Sequence, residues 1–151
     1  MHMVAQGIAQ WPRDCMGVIG SSLGGFYASW VASQTGCPSV LLNPAVEPAR
    51  DLCRSIGEQT TWQNPGERFY FLPEYIDELK ALDASHQAPL SQELAIIAKG
   101  DEVLDWREMT ARYPKAHQIL LEGGSHALEN FADYIPQITA FLELAQPSHA
   151  G

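Results

Sequence analysis

The sequence predicts an α/β protein in which helices cover both faces of a mostly parallel sheet, giving a three-layer sandwich. Short apolar runs alternate four times with segments of helical pattern. Strands that are buried on both faces have such continuous apolar runs, and their alternation with helices is typical of parallel sheets. The 151 residues match the size of one domain, so we expect residues 1–151 to form a single domain.

The first half of the chain holds two predicted strands and three predicted helices. The helices depend on apolar residues at helical spacing and on breakers such as Gly36 and Pro38. The strands depend on short apolar runs, the second of which ends at Asn43-Pro44. In chain order the expected elements are a helix over residues 1–11, a strand at Cys15–Ile19, a mostly buried helix ending near Gly36, a strand at Ser39–Leu42 and a short helix from Pro48 to Ile56.

The second half begins with residues 57–72, which we expect to be irregular because Gly57 and Asn64-Pro-Gly66 interrupt every pattern. Pro73 suits the first turn of a helix, and Pro114 closes a later helix. The expected elements are a helix from Pro73 to Leu82, a strand at Glu93–Lys99, a helix from Trp106 to Tyr113, a strand at His117–Leu121 and a helix from Tyr134 to Leu144.

Composition and charge limit the classes of partner and cofactor. The net charge of −9 argues against nucleic acids and anionic membranes as partners, because both require clusters of Lys and Arg. The three cysteines contain no C-x-x-C pair, which indicates neither a disulfide framework nor a zinc site. No apolar run is long enough to span a membrane and no signal peptide is evident, so we expect a reduced, cytoplasmic setting.

The stretch Gly20-Ser-Ser-Leu-Gly24 has the pattern G-x-S-x-G between a predicted strand and a predicted helix. Such a turn holds its central residue in a strained conformation and raises that side chain above the sheet. Small residues two positions before and after it let the strand and the helix approach closely. The pattern predicts that Ser22 is a nucleophile, and a bare G-x-S-x-G without chemistry is the alternative.

Two further strand ends carry side chains that could activate Ser22. Asp101 follows the Glu93–Lys99 strand, and His126 follows the last strand. Functional groups collect at the carboxyl ends of strands in an open α/β sheet, and the order Ser, Asp, His is known for a hydrolytic triad. We therefore expect His126 to take the Ser22 proton and Asp101 to orient the imidazole. The Gly123-Gly124 pair would let the loop turn back toward Ser22.

The other acidic, serine, histidine and cysteine residues that could belong to a catalytic site have simpler structural explanations. Asp105 suits the N-cap of the helix at Trp106, and Glu102 is a weaker candidate for the acid. Ser21 precedes the apex of the turn, so its side chain should point elsewhere. We expect the remaining histidines to be solvated and two of the cysteines to be core thiols without a nearby base; these residues are His2, His86, His117 and His149, and Cys15 and Cys53.

The stretch from Gly20 to Ala28 resembles the YqiA-type esterases, the UPF0227 group of α/β-hydrolases. Other matching segments are Leu42-Asn-Pro-Ala45, Gln63-Asn-Pro65, Gly100-Asp-Glu-Val-Leu-Asp105 and Gly123-Gly-Ser-His126 with Phe131. The resemblance covers about Val18 to Phe141. It implies an α/β-hydrolase fold, the triad Ser22, Asp101 and His126, and hydrolysis of carboxylic esters without a cofactor, with acyl-CoA thioesters as a further substrate class.

The resemblance is incomplete at the amino end. Members of the family open with a strand and a His-Gly-Phe-Asn-Ser-Ser-like segment that supplies a second oxyanion donor, and nothing here matches that segment. The Leu23 amide is the donor that this sequence predicts. We expect Met16–Ile19 to form an open sheet edge that favours self-association. The alternative to a serine esterase on short acyl esters is a hydrolase-fold remnant with little or no activity that acts as an interaction module.

Overall fold

A computed structural model describes residues 6–12, 15–53, 57–60, 68–71, 73–88 and 92–145 of the chain. The strands and helices of these residues are, in chain order, β1 (Val18–Ser21), α1 (Leu23–Thr35), β2 (Ser39–Leu42), α2 (Pro48–Leu52), β3 (Gly57–Thr60), β4 (Arg68–Phe71), α3 (Pro73–Ser85), β5 (Glu93–Ala98), α4 (Trp106–Arg112), β6 (His117–Leu121), a 3₁₀ turn (Phe131–Tyr134) and α5 (Ile135–Ala145).

A four-stranded sheet in the order β1-β2-β5-β6 carries the fold, and all its pairings are parallel. The carboxyl ends of the strands lie close together along the sheet. Ser21 pairs with Leu42 and Ala98 with Leu121, whereas Leu42 pairs with Ile96, so β5 extends past the end of β2 to Ala98. The residues that follow β1, β2, β5 and β6 therefore emerge at one edge of the sheet. This architecture confirms the predicted parallel sheet.

Helices cover both faces of the sheet, which confirms the three-layer prediction. On one face, Leu41, Ala95 and Ile97 pack with residues of α1 and α4, among them Ala28 and Met109. On the other face, the alternate strand residues pack with Leu128 and with residues of α5; these strand residues are Val40, Leu42, Leu94, Ile96 and Ala98. Both faces of β2 and β5 are buried, and this accounts for their uninterrupted apolar sequences.

Strand β1 lies at the edge of the sheet and pairs with β2 alone among the described strands. Its Ile19 side chain shares a sheet face with Val40 and is 47% exposed. The expected strand at Cys15–Ile19 was placed too early, because ladder pairing begins at Val18 and continues to Ser21. Met16 is buried without belonging to the strand, so its apolar character reflects packing and not sheet pairing.

Residues 47–86 form a compact unit separate from the unit that contains the parallel sheet. It contains α2, α3 and an antiparallel pair in which Gly57 lies opposite Phe71 and Thr60 opposite Arg68. The prediction of an irregular stretch over residues 57–72 was therefore wrong for these two strands. The sequence Gly57-Glu-Gln-Thr60 has no alternating apolar pattern, so only its pairing with β4 reveals a strand.

Other helix boundaries differ little from the expected ones. Helix α1 ends at Thr35 and is followed by Gly36, whose φ of 76° is the left-handed conformation common after helices. At the amino end the structure has helix over residues 6–8, and residues 1–5 lie outside the described part, as do residues 54–56 of the expected Pro48–Ile56 helix. Within the described residues, the helices are too short or too polar to cross a membrane.

Candidate active site

Ser22 occupies the sharp turn between β1 and α1. Its backbone has φ 54° and ψ −122°, a strained conformation for a residue other than glycine. A methyl group at Gly20 would overlap the carbonyl of Gly24, so the residue two positions before Ser22 must be glycine. After Ser22 the tight position is Gly25, where a Cβ would lie 2.8 Å from Pro44 Cβ, whereas Gly24 has open space around it.

The backbone of Ser22 is bonded to the residues that follow β2. The Ser22 N–H donates to the Leu42 carbonyl over 2.9 Å, and the Ser22 carbonyl accepts from the Ala45 N–H over 2.9 Å. The same carbonyl accepts from Gly25 N–H, which starts the hydrogen bonding of α1. These bonds hold the strained turn in place from both sides.

A continuous chain of hydrogen bonds links Ser22 to the carboxyl ends of β5 and β6. The Ser22 Oγ lies 2.9 Å from His126 Nε2, and His126 Nδ1 lies 2.8 Å from Asp101 Oδ2. The ionised carboxylate only accepts, so Nδ1 carries the proton and Nε2 accepts from the Ser22 hydroxyl. The Asp101 side chain is fully buried, whereas 21% of the His126 side chain is exposed. A reactant can therefore approach these hydrogen-bonded residues from the side of the imidazole and not from the side of the carboxylate.

Asp101 is held by the loop that follows β5, the acid loop (residues 99–105). Its Oδ1 accepts from the N–H groups of Val103 and Leu104, each over 2.8 Å, which leaves Oδ2 for His126. Asp105 instead caps α4 by accepting from Arg107 N–H over 2.8 Å. Glu102 accepts from the backbone N–H of His126 over 3.0 Å. The carboxylate that faces the imidazole is therefore that of Asp101.

The acid loop is in tight contact with the loop that follows β6, the histidine loop (residues 122–127). A methyl group at Gly100 would overlap the Gly124 carbonyl, and Gly124 has a φ of +88°. Gly123 has open space around its Cβ position, so only one glycine of the expected pair is required by the turn. The two loops meet by backbone contact, and this places Asp101 beside His126.

The remaining candidates lie elsewhere. Ser21 is exposed on β1, and His86 and His117 lie just beyond α3 and at the start of β6. His2 and His149 fall outside the described residues. The expectation of core thiols was wrong for both cysteines, because Cys15 and Cys53 are exposed. Cys15 precedes the edge strand and Cys53 ends a five-residue helix, and neither position reaches the core.

The sequence alone did not reveal the connections made by Asn43. This buried side chain bonds to the backbone of both β5 and the histidine loop. The only local signal is that an asparagine-proline pair follows a buried strand. Among the described residues, no group of three or more His, Cys, Asp or Glu side chains is placed to hold a metal ion.

Comparison with known proteins identifies the family and the fold of the chain. The model of an uncharacterised protein family, UPF0227, matches residues 1–143. The chain belongs to the UPF0227 family. The resemblance seen in the Gly20–Ala28 stretch is thereby confirmed at the level of the family.

Solved structures similar to this UPF0227 chain include hydrolases and esterases. A putative hydrolase from Agrobacterium vitis S4 superposes with a TM-score of 0.64 at 16% identity, covering 83% of this chain and 60% of that one. Est1E from Butyrivibrio proteoclasticus, solved with ferulic acid bound, gives 0.60 at 14% identity, covering 85% and 58%. The esterase domain of a Rhodothermus marinus protein gives 0.60 at 19% identity, covering 96% and 66%.

These similarities establish the fold of the UPF0227 chain as that of the α/β-hydrolases. The chain spans about three fifths of the length of the first two proteins, at 60% and 58%. The activity of the UPF0227 chain itself is therefore a matter for proposal and experiment.

Proposed function

We propose that the UPF0227 chain hydrolyses carboxylic esters with short acyl groups, using Ser22, His126 and Asp101 as a catalytic triad. The observation that carries the proposal is the unbroken hydrogen-bonded chain from Ser22 Oγ through the imidazole to the buried Asp101 carboxylate. A serine hydroxyl is a weak nucleophile, and an adjacent oriented base is what activates it. Acyl-CoA thioesters are the second substrate class to test, as the family resemblance suggests.

In the first half of the reaction, Ser22 Oγ attacks the carbonyl carbon of the ester. His126 Nε2 accepts the hydroxyl proton as the new carbon–oxygen bond forms. The tetrahedral intermediate collapses, and Nε2 returns the proton to the departing alcohol oxygen. Ser22 is left as an acyl ester.

In the second half, water replaces the alcohol. Nε2 takes a proton from the water as the water oxygen attacks the acyl carbon. The second tetrahedral intermediate collapses, Nε2 returns the proton to Ser22 Oγ, and the carboxylic acid leaves. Asp101 stabilises the imidazolium formed in each half, because its Oδ2 accepts a hydrogen bond from His126 Nδ1–H over 2.8 Å. The two N–H groups bonded to Oδ1 keep this carboxylate from rotating.

The developing oxyanion requires a hydrogen-bond donor beside Ser22. Leu23 is the first residue of α1, and the first N–H groups of a helix have no partner within the helix. Its backbone N–H, at the positive end of the helix, is the donor we assign to the oxyanion. Removing one such donor from an enzyme of this kind costs roughly 10²–10³ in turnover rate. The rate of this chain therefore depends strongly on how many donors reach the intermediate.

Phosphonate labelling tests the proposal. A fluorophosphonate should modify the unaltered chain once, on the peptide that contains Gly20–Gly24, and Ser22→Ala should abolish the adduct. Ser21→Ala is the matched control, since it removes the neighbouring exposed hydroxyl. It should retain both the adduct and the hydrolysis of p-nitrophenyl acetate. An adduct on another residue, or hydrolysis that survives Ser22→Ala, would refute the assignment.

The same measurements separate the esterase from an interaction module of little or no activity. A chain that neither reacts with the phosphonate nor hydrolyses p-nitrophenyl acetate or butyrate would favour the module. A chain that reacts can then be given acetyl-CoA and butyryl-CoA. Release of free CoA that depends on Ser22 would place thioesters among its substrates.

A further inference from the structure

We infer that Asn43 is a positioning residue that fixes the histidine loop against the strand end carrying the acid loop, so that His126 faces Ser22. The inference rests on the proposed function for its kinetic consequence. Its structural part concerns the backbone around His126 and can be measured without any substrate.

The Asn43 side chain joins two strand ends and the histidine loop. It follows β2 and is fully buried. Its Oδ1 accepts from the N–H of Ala98, the last residue of β5, over 2.8 Å. Its Nδ2 donates to the carbonyls of Ser125 and His126, each over 3.1 Å. The side-chain amide therefore uses both of its donors and one acceptor position.

These partners determine the orientation of the amide. With oxygen and nitrogen exchanged, the oxygen would face two carbonyl oxygens and the nitrogen would face the Ala98 N–H. Every contact would then be repulsive in a buried site, where an unsatisfied polar group is costly. The network admits one arrangement of the side chain.

The backbone at Asn43 narrows the choice of residue further. Its φ is 41°, in the left-handed region that most side chains avoid and that glycine, asparagine and aspartate tolerate. Of these three residues, only asparagine both donates to two carbonyls and accepts from an N–H. The conformation and the hydrogen bonding thus each favour asparagine on separate physical grounds.

The residues on either side of Asn43 hold Ser22 through backbone hydrogen bonds. The Leu42 carbonyl accepts from Ser22 N–H, and Ala45 N–H donates to the Ser22 carbonyl, each over 2.9 Å. The segment Leu42–Ala45 therefore contacts the nucleophile turn through its backbone and the histidine loop through its Asn43 side chain. It thereby connects the backbone of Ser22 to the loop that carries His126, whose Nε2 lies 2.9 Å from Ser22 Oγ.

Two substitutions at Asn43 remove different parts of this network. Asn43→Asp keeps the acceptor for Ala98 N–H and loses both donors to the histidine loop. Asn43→Gly permits the same φ and removes all three side-chain bonds. Both variants should lower kcat for p-nitrophenyl acetate by roughly 10²-fold, the cost of about 1 Å of misplacement, with KM little changed because Asn43 is buried.

Ser39→Ala is the matched control for loss of stability. Ser39 is a fully buried polar residue at the opposite end of the same strand, and its hydroxyl donates to Glu93 Oε1 over 3.1 Å. This variant should lower the melting temperature and leave kcat unchanged. If the Asn43 variants lost kcat only because they were less stable, Ser39→Ala would lose kcat as well.

Proton NMR supplies the readout that needs no activity. The proton shared by His126 Nδ1 and Asp101 should resonate far downfield of the amide signals in the unaltered chain and in Ser39→Ala. It should be lost or broadened in Asn43→Asp and Asn43→Gly. Should one of the two variants fail to fold, the other carries the test.

Folded Asn43 variants that keep both this signal and kcat would overturn the inference. If the unaltered chain is neither labelled by phosphonate nor active, the proposed function fails. The NMR comparison then still decides whether Asn43 positions His126.

Discussion

Replacing Gly100 with alanine tests how closely the acid loop and the histidine loop must approach. A Cβ at this position would overlap the Gly124 carbonyl oxygen, and it would lie 3.3 Å from the Gly123 carbonyl carbon. Ordinary contacts of this kind begin at 3.4 Å. Because both partners are backbone atoms, a rotamer change cannot relieve the overlap, and the loops must separate by roughly 1 Å.

Such a separation moves His126 relative to Asp101, since one residue lies on each loop. A misplacement of about 1 Å costs roughly 10² in turnover rate, and overpacking costs typically 1–3 kcal/mol of stability. We therefore expect Gly100→Ala to reduce kcat for p-nitrophenyl acetate by about 10²-fold while the chain stays folded. Steady-state kinetics gives kcat and KM, titration of Ser22 by phosphonate gives the active fraction, and circular dichroism reports folding.

Gly123→Ala supplies the matched control, because a Cβ at that position would meet nothing within 4 Å. It should leave kcat within about threefold of the unaltered chain. Equal effects of the two substitutions, or a folded Gly100→Ala protein with unchanged kcat, would show that contact between the loops does not position His126.

Three further predictions concern the acid, a buried carboxylate and the sheet edge. Asp101→Asn should lower kcat by up to about 10⁴, whereas Asp105→Asn should cost tenfold or less through a weakened helix cap of about 1 kcal/mol. Burial raises the pKa of Glu93, against the opposing effects of hydrogen bonds from Ser29 and Ser39 and the charge of Arg112. The folded state therefore binds the Glu93 proton more tightly than the unfolded chain does, and the stability that this difference gives is lost as pH rises through the folded-state pKa. The free energy of unfolding, measured with urea from about pH 4 to pH 8, should therefore rise for Glu93→Gln relative to the unaltered chain. Ile19→Lys should reduce self-association through the edge strand β1, measured by light scattering.

Each of these has an outcome that would count against it. Equal losses of kcat for Asp101→Asn and Asp105→Asn would show that the contact between Asp101 and His126 does not determine the turnover rate. If the difference in unfolding free energy between Glu93→Gln and the unaltered chain stays constant with pH, folding does not raise the pKa of Glu93. For the edge strand, Leu120→Lys on β6 is the control, since Leu120 is also exposed. If Leu120→Lys lowers the mass measured by light scattering as much as Ile19→Lys does, self-association does not depend specifically on β1.

The sequence was sufficient for the features that depend on local pattern. The short apolar runs predicted β2 and β6 with the bounds observed. For β2 the signal is continuous because both faces of the strand are buried, whereas β6 is partly exposed and was revealed by its apolar run Ile119–Leu121. Position directly after a strand favoured Asp101 over Asp105, and the structure pairs Asp101 with His126 and places Asp105 at a helix cap. The rule works because parallel strands bring their carboxyl ends to one edge.

Features that depend on distant partners could not be read in this way. Asn43 bonds to residues 55, 82 and 83 positions away, and nothing in its local sequence indicates them. Strand β3 is polar, and its pairing with β4 defines it. Met16 has the apolar character of a strand residue, but its burial comes from packing outside the ladder, so the start of β1 was misplaced.

The ladder between β2 and β5 has a consequence for the time course of folding. The segments β1–α1–β2 and β5–α4–β6 each contain only nearby strand pairs, whereas the β2–β5 ladder closes a loop that includes residues 47–86, as the 54-residue span of the Ser39–Glu93 bond shows. Contacts over such spans form slowly, because loop closure must precede the contacts that offset it. Ser22 lies on the first segment, and Asp101 and His126 lie on the second. On refolding, phosphonate reactivity should therefore return after helical circular dichroism, because the proposed triad assembles only when the β2–β5 ladder has formed.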